Sequence, residues 1–276
     1  MPLVSVLLPS HNYDLFLQAA IESVLSQSFE DLELLVMDDG STDKSYAVAE
    51  KLAKKDGRIK LWKQSNRGLN PTLNTLFSRS SGDFVAQINA DEIWLPNRLE
   101  VGLGAFRGGN ETVATFSSWV VVDEQNAPLP VVDHFLYPEN QGRELVKDLL
   151  TKKCICATTT GMFLRKAVEA SGGYARNVPF VEDYDLWLRL AFTGSIKRVR
   201  ELTALYRSHG RNMTAVNFSR TMRATQEIIE HYCEPIVCKF SLEKAWPEIW
   251  QRLAELSAQA GEIQDSLIYV NKIEQA

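Results

Sequence analysis

No stretch of this chain approaches the roughly 18 to 20 consecutive apolar residues needed to cross a bilayer. Its N-terminus has neither the basic start nor the small-residue cleavage site of a secretory signal. Those absences predict a cytoplasmic chain, peripheral at most to the inner face of a membrane. Cysteine is scarce: Cys154, Cys156, Cys233 and Cys238 are too few and too unevenly spaced for a disulfide framework. Neither pair has a zinc-site spacing with matching histidines, so reduced and mostly buried thiols are expected. Basic charge is not in excess either. Lys and Arg number 30 against 35 Asp and Glu, a net charge of −5, and the basic residues are scattered, which argues against a nucleic-acid partner. No Gly-rich phosphate cradle follows any apolar run, which counts against a dehydrogenase or a kinase.

What is present is 276 residues, 45% hydrophobic and 24% charged, enough for a large core and an appendage. The runs LVSVLLP, LELLVMDD, IKLWK and DFVAQIN read as parallel strands buried on both faces. Between them, Leu17, Ile21, Val24 and Leu25, then Tyr46, Ala49 and Leu52, then Leu69, Leu73, Leu76 and Phe77 have helical spacing. The alternation is that of a doubly wound α/β sheet with right-handed crossovers. Ligands of such sheets sit at the carboxyl ends of the strands, here Pro9 to Asn12, Asp38 to Asp43, Gln64 to Gly68 and Asn89 to Glu92.

From Ala105 to about Val199 shorter strands are expected, VATFSSWVVVD and TGMFLRK, around a long polar loop from Asp123 to Arg143, a length that is usually functional or disordered. A further short strand is expected at ELTALYR. After Tyr206 the pattern is almost wholly helical. Trp250, Leu253, Ala254, Gly261, Ser266, Val270 and Ile273 fall near the spacing of one tetratricopeptide unit, which cannot bury its own faces. The tail therefore packs on the α/β domain or begins an array.

Three acidic sites invite chemistry. In VMDDGSTDKS, Ser41 or Thr42 caps the next helix and Asp43 complements its positive end, but consecutive Asp38 and Asp39 at the mouth of a sheet need another reason. In QINADEIWLPNRLE, with Pro96 in the first helical turn, Asp91 and Glu92 suit Mg²⁺ or Mn²⁺ and equally suit a helix start; the residues alone leave both open. In PFVEDYDLWLRL, Leu186, Trp187, Leu190 and Ala191 form an apolar face, placing Glu182 and Asp183 at a helix start, where an ionised carboxylate can serve as a general base. Further on, Arg207 and His209 follow a strand end and precede Gly210.

In order and spacing, VSVLLPSHN, VMDDGSTD, NRGL, INADEIWLPNRLE, VEDYDLWLRL and YRSHGRNMT resemble the inverting family 2 glycosyltransferases with the GT-A fold, over residues 3 to about 214. The resemblance implies a Rossmann-like, mostly parallel α/β sheet flanked by helices over residues 1–214, with a helical C-terminal extension over 215–276. It implies that Pro9, Ser10, His11 and Asn12 line a nucleotide, that Asp39 bonds the base, usually uracil, and that Arg67 lies nearby. The family's metal motif falls on Asn89, Ala90 and Asp91, with Asp91 holding Mn²⁺ or Mg²⁺. Asn89 replaces a carboxylate that in the family faces the sugar or ribose, so it bears on donor choice. Asp183 matches the catalytic base, His209 a position that completes the metal site in some members, and Glu182 and Trp187 positions near the acceptor.

The implied activity is transfer from a nucleotide diphosphate sugar, a UDP-sugar favoured, to a hydroxyl of a glycan, lipid-linked or protein acceptor in bacterial envelope synthesis. Asn89 and the partial repeat motivate a competing reading, a non-catalytic nucleotide- or sugar-binding module whose helical tail recruits a protein partner. A sugar nucleotidyltransferase shares the sheet but would need a Gly-rich basic loop after VSVLLP, which this chain lacks.

Overall fold

Strand and helix alternate through the N-terminal half: β1 (Val4–Ser10), α1 (Leu17–Leu25), β2 (Leu32–Asp39), α2 (Ser45–Ala53), β3 (Ile59–Gln64), α3 (Leu69–Arg79) and β4 (Phe84–Gln87). There follow β5 (Ile93–Trp94), α4 (Arg98–Phe106), β6 (Thr112–Val122), α5 (Gly142–Thr151), β7 (Met162–Leu164), α6 (Arg165–Ala170), α7 (Glu182–Ala191) and β8 (Ser195–Arg207). Helices α8 (Met213–Val216), α9 (Phe218–Phe240), α10 (Trp246–Ala260) and α11 (Ile263–Glu274) close the chain. The computed structural model describes residues 3–107, 111–130, 142–152, 157–175, 178 and 180–275. Cys154, Cys156 and residues 131–141 of the expected long loop lie outside the described residues.

One eight-stranded sheet runs in the order β3-β2-β1-β4-β7-β6-β8-β5. The first four strands are parallel, as the alternation predicts. Successive residues of a strand face opposite sides. Val4, Val6 and Leu8 accordingly join Leu17 and Ile21 of α1 in one core, while Leu7 joins Leu73 and Leu76 of α3 in the other. Expectation and structure part at several points. β3 is the sheet edge, so its Lys60 and Lys63 are exposed and it is not buried on both faces. β6 and β8, at 11 and 13 residues, are the longest strands described, because they pair with each other over most of their length. β8 begins at Ser195, ahead of the expected ELTALYR.

The helix starts also differ. Ser41 and Thr42 do not cap α2; Asp43 Oδ1 accepts from the Ser45 amide at 2.8 Å instead. Pro96 stands before the cap residue Asn97 of α4, outside the helix. Cys238 is exposed, unlike the buried Cys233. In the tail, α9 and α10 bury Ile229, Ile236, Ile249 and Leu256 in the same core as Leu186 of α7. α10 and α11 form a hairpin around Gly261, whose φ of +90° suits glycine. α11 buries no residue fully.

Candidate active site

The parallel strands deliver Ser10, Asp39 and Gln87 to one edge of the sheet, their carboxyl ends. Two loops there lock together. Asn12, in the left-handed region at φ 61°, accepts from the Thr42 amide at 2.8 Å and donates its own amide to Ser41 Oγ at 3.0 Å. At Gly40 a Cβ would sit 2.6 Å from the Asn66 nitrogen, so the close approach of the loop after β3 requires glycine. Asp39 is buried and accepts from Gln64 Nε2 at 2.7 Å and from the Arg67 and Gly68 amides, each at 2.9 Å. Three bonds leave one of a carboxylate's roughly four acceptor positions. His11 donates from Nδ1 to the Asp39 carbonyl at 3.0 Å.

A cavity of about 510 Å³ opens at this edge. Pro9, Ser10, His11, Asp39, Asn89, Ala90, Asp91, Glu182 and Asp183, all expected site residues, line it. Asn12, Arg67, His209 and Trp187 do not. Arg67 is exposed and contributes its backbone amide to Asp39. Trp187 is fully buried, its ring centroid 4.8 Å from Phe163 and 5.5 Å from Phe116, so it packs the core and does not line the cavity. The apolar periodicity of its helix already pointed there.

Two pairs of carboxyls share the cavity. Burial raises the Asp91 carboxyl above its ordinary range, opposed by the His209 bond and the charge of Arg207. His209 sits behind Asp91, buried, and places Nε2 3.0 Å from Asp91 Oδ2. Its Nδ1 accepts the Arg211 amide at 3.1 Å, so in the neutral ring the proton lies on Nε2 and is donated to Asp91. Arg207 donates to the Asp91 carbonyl and lies over the Phe16 ring, which stacks on His209. Glu92, buried next to Asp91, is pushed up to about 8 by burial and by its neighbour's charge.

On the other side, burial and then Asp183 push Glu182 up to about 8, and its Oε2 has no hydrogen-bond partner among the described residues. Burial also raises Asp183, opposed by the Thr158 hydroxyl, which donates to Oδ2 at 2.6 Å, and by the Tyr184 amide, which donates to Oδ1 at 2.7 Å. Thr158 was missed by sequence reasoning, although the run Thr158–Thr160 before β7 is visible in the chain. Its turn is held from two sides: Trp94 Nε1 donates to Thr159 Oγ1 at 3.0 Å, and Arg98 donates to the Thr159 and Gly161 carbonyls. At Gly161 a Cβ would sit 2.8 Å from both Phe163 and Trp187, so the turn rests directly on that core. Phe180, at φ 74°, also lines the cavity, with no signal in its sequence.

Among the described residues no group of three or more His, Cys, Asp or Glu side chains forms a metal cage. Hard divalent ions are commonly held by one or two carboxylates plus substrate phosphates. Asp91, on the cavity wall with Glu92 beside it, fits that pattern.

Residues 5–172 match the model for glycosyl transferase family 2. The chain belongs to that family. It is 25% identical over 212 residues to a chondroitin synthase of Escherichia coli, covering 77% of this chain and 30% of that protein. It is 29% identical over 200 residues to a UDP-Glc:alpha-D-GlcNAc-diphosphoundecaprenol beta-1,3-glucosyltransferase of Escherichia coli, covering 71% of this chain and 73% of that one. It spans 30%, 22% and 21% of the lengths of three similar chondroitin and hyaluronan synthases. Among solved structures, S. aureus TarS with UDP-GlcNAc superposes with a TM-score of 0.67 at 15% identity, covering 99% of this chain and 91% of that one. A mannosyltransferase of Pyrobaculum calidifontis with GDP-Man and Mn²⁺ gives 0.67 at 17% identity, covering 100% and 80%. The fold of this family member is therefore GT-A. The family match ends before Asp183 and His209, so their assignment rests on where they converge: Asp183 on the cavity, His209 on Asp91.

Proposed function

We propose that this glycosyltransferase is an inverting, divalent-metal-dependent enzyme that moves a sugar from a UDP-sugar to an acceptor hydroxyl in bacterial envelope polysaccharide, lipopolysaccharide or glycoprotein synthesis, working at the cytoplasmic side. The observation that carries the reading is that Asp91 and Asp183 line one cavity at the carboxyl edge of the parallel strands. The strand ends from Pro9 to His11, with Asp39, cradle the nucleotide, and Asn89 and Ala90 face the donor sugar. Asp91, oriented by His209, would hold Mn²⁺ or Mg²⁺. A bound ion of this kind neutralises charge on a departing diphosphate.

Asp183 takes the proton of the acceptor hydroxyl as that oxygen attacks the anomeric carbon, and the sugar's configuration inverts in the single displacement. Thr158 holds the carboxylate in place and stabilises its ionised form. Glu182, neutral over much of the working pH range, offers a hydrogen bond to the acceptor without adding a second negative charge.

The test is twofold. Thermal shift against UDP, GDP, dTDP and CDP, with and without Mn²⁺, should pick out UDP with metal, since a ligand of the folded state raises its melting temperature. Donor hydrolysis or transfer should fall by about 10² to 10⁴ in Asp183→Asn, the usual worth of a positioned base. Undiminished turnover in that variant refutes the base. Tight UDP binding with no turnover over a broad acceptor panel would instead support a binding module.

A further inference from the structure

Past His209 the chain leaves the core and carries apolar side chains outward. Met213 is 42% exposed, Val216 65% and Phe218 49%. Met213 and Val216 lie three residues apart in α8, on one face, and Phe218 opens α9. Met213 and Thr214 also line the cavity, so this apolar strip begins at the cavity wall. Leu15, 70% exposed, stands on the loop whose Phe16 stacks on His209 and lies beneath Arg207 and Arg211. Exposed apolar side chains clustered at one place mark an interaction surface.

Charge indicates what meets it. In a chain of net charge −5, residues 202 to 226 contain four arginines and no Asp or Glu. Arg207 is turned inward onto Asp91 and Asn126, and Arg223 pairs with Glu262. Arg211 and Arg220 are exposed and bracket the apolar strip. Asp14, half-buried beside Leu15, is the one carboxylate of that neighbouring loop. A short stretch of exposed Met, Val and Phe between two arginines is the composition that enters the headgroup layer of an anionic bilayer. No helix among the described residues is long and apolar enough to cross one.

We infer that the segment Arg211–Arg220, with Leu15, is a membrane-docking surface that seats the cavity mouth against an anionic lipid leaflet. Val216 and Phe218 insert among the headgroups while Arg211 and Arg220 pair with lipid phosphates. The cavity then opens toward an acceptor carried on a lipid in that leaflet. Only this last consequence rests on the proposed transferase activity, because docking itself requires no turnover.

The experiment is co-sedimentation of the full chain with vesicles of phosphatidylcholine alone and with roughly a third phosphatidylglycerol. Binding to the anionic vesicles alone is expected, weakened when salt rises from about 0.1 M to about 1 M and the screening length drops from ~10 to ~3 Å. The pair Val216→Ser and Phe218→Ser should cut partitioning by roughly tenfold or more, as loss of a buried aromatic side chain implies. Arg220→Glu, a surface change that leaves the fold intact, should cut it as well. Donor hydrolysis in solution without vesicles should be unchanged in all three. No binding of the unmodified chain to anionic vesicles at low salt overturns the inference. So does equal binding by Arg220→Glu, or a dimer in solution that the same substitutions dissolve.

Discussion

Thr158 donates its hydroxyl to Asp183 Oδ2 at 2.6 Å, across 25 positions of sequence. That bond favours the ionised carboxylate against the burial that raises it. In Thr158→Val, with the hydroxyl gone, the acid limb of the activity profile should move to higher pH and kcat should drop roughly tenfold, one hydrogen bond's worth of about 1.4 kcal/mol. Thr158→Ser should restore both. A pH profile that does not move in the valine variant shows that Thr158 only fills space.

Trp187 tests whether the core, and not an acceptor, claims that ring. Its Nε1 has no hydrogen-bond partner among the described residues, so Trp187→Phe abandons no bond, only contacts with Phe116, Phe163 and the Gly161 turn. Trp187→Ala should cost about 3 to 5 kcal/mol of stability by chemical denaturation. Trp187→Phe should cost less and leave acceptor preference unchanged; a changed preference at unchanged stability contradicts the core placement.

The sequence made the first half of this molecule readable because its information is local. Unbroken burial from Val4 to Leu8 and helical spacing from Leu17 to Leu25 are read from short-range patterns in the chain. The same logic placed Trp187 on the apolar face of α7, and that face is buried in the core. Thr158, Trp94 and Arg98 escaped notice for the opposite reason. They act on Asp183 through contacts between distant segments, and no spacing rule encodes a turn that meets a helix start. β8 was under-read because Lys197, Arg198, Arg200 and Glu201 break the apolar run, although pairing with β6 keeps most of that stretch extended.

Glu33 predicts an acid limit to stability. Burial opposes its ionisation, yet Lys60, the Ser5 hydroxyl and the Ser81 amide and hydroxyl all donate to it and hold it at about 2, below the usual 4.5. A depressed native value means the stabilisation is present above about pH 4.5 and is lost as pH falls toward 2. Glu33→Gln should therefore lower stability by on the order of 2 kcal/mol at pH 7, with the gap closing as the pH is taken down through that window. Equal urea midpoints for the two proteins at pH 7 would show that the cluster contributes nothing.

Asn89 sets an amide on the cavity wall, beside two buried carboxyls that are already raised. Its Oδ1 accepts from Gln87 at 3.3 Å, and its backbone amide donates to Glu92 Oε2 at 3.3 Å. Asn89→Asp would set a third acidic group on the same wall as Asp91 and Glu92. Without metal, like charges in a partly buried site repel, so the melting temperature should fall, and fall further as pH rises from about 5 to about 8 and the carboxyls ionise. With Mn²⁺ the added charge is met by a cation. The half-saturating Mn²⁺ concentration should then drop roughly tenfold, and the preferred donor sugar should change if the Asn89 amide touches it. Titrating Mn²⁺ by melting temperature, then comparing a donor panel in both proteins, separates the two effects. A variant that matches the parent in metal affinity and in donor order would mean that position 89 faces neither the ion nor the sugar.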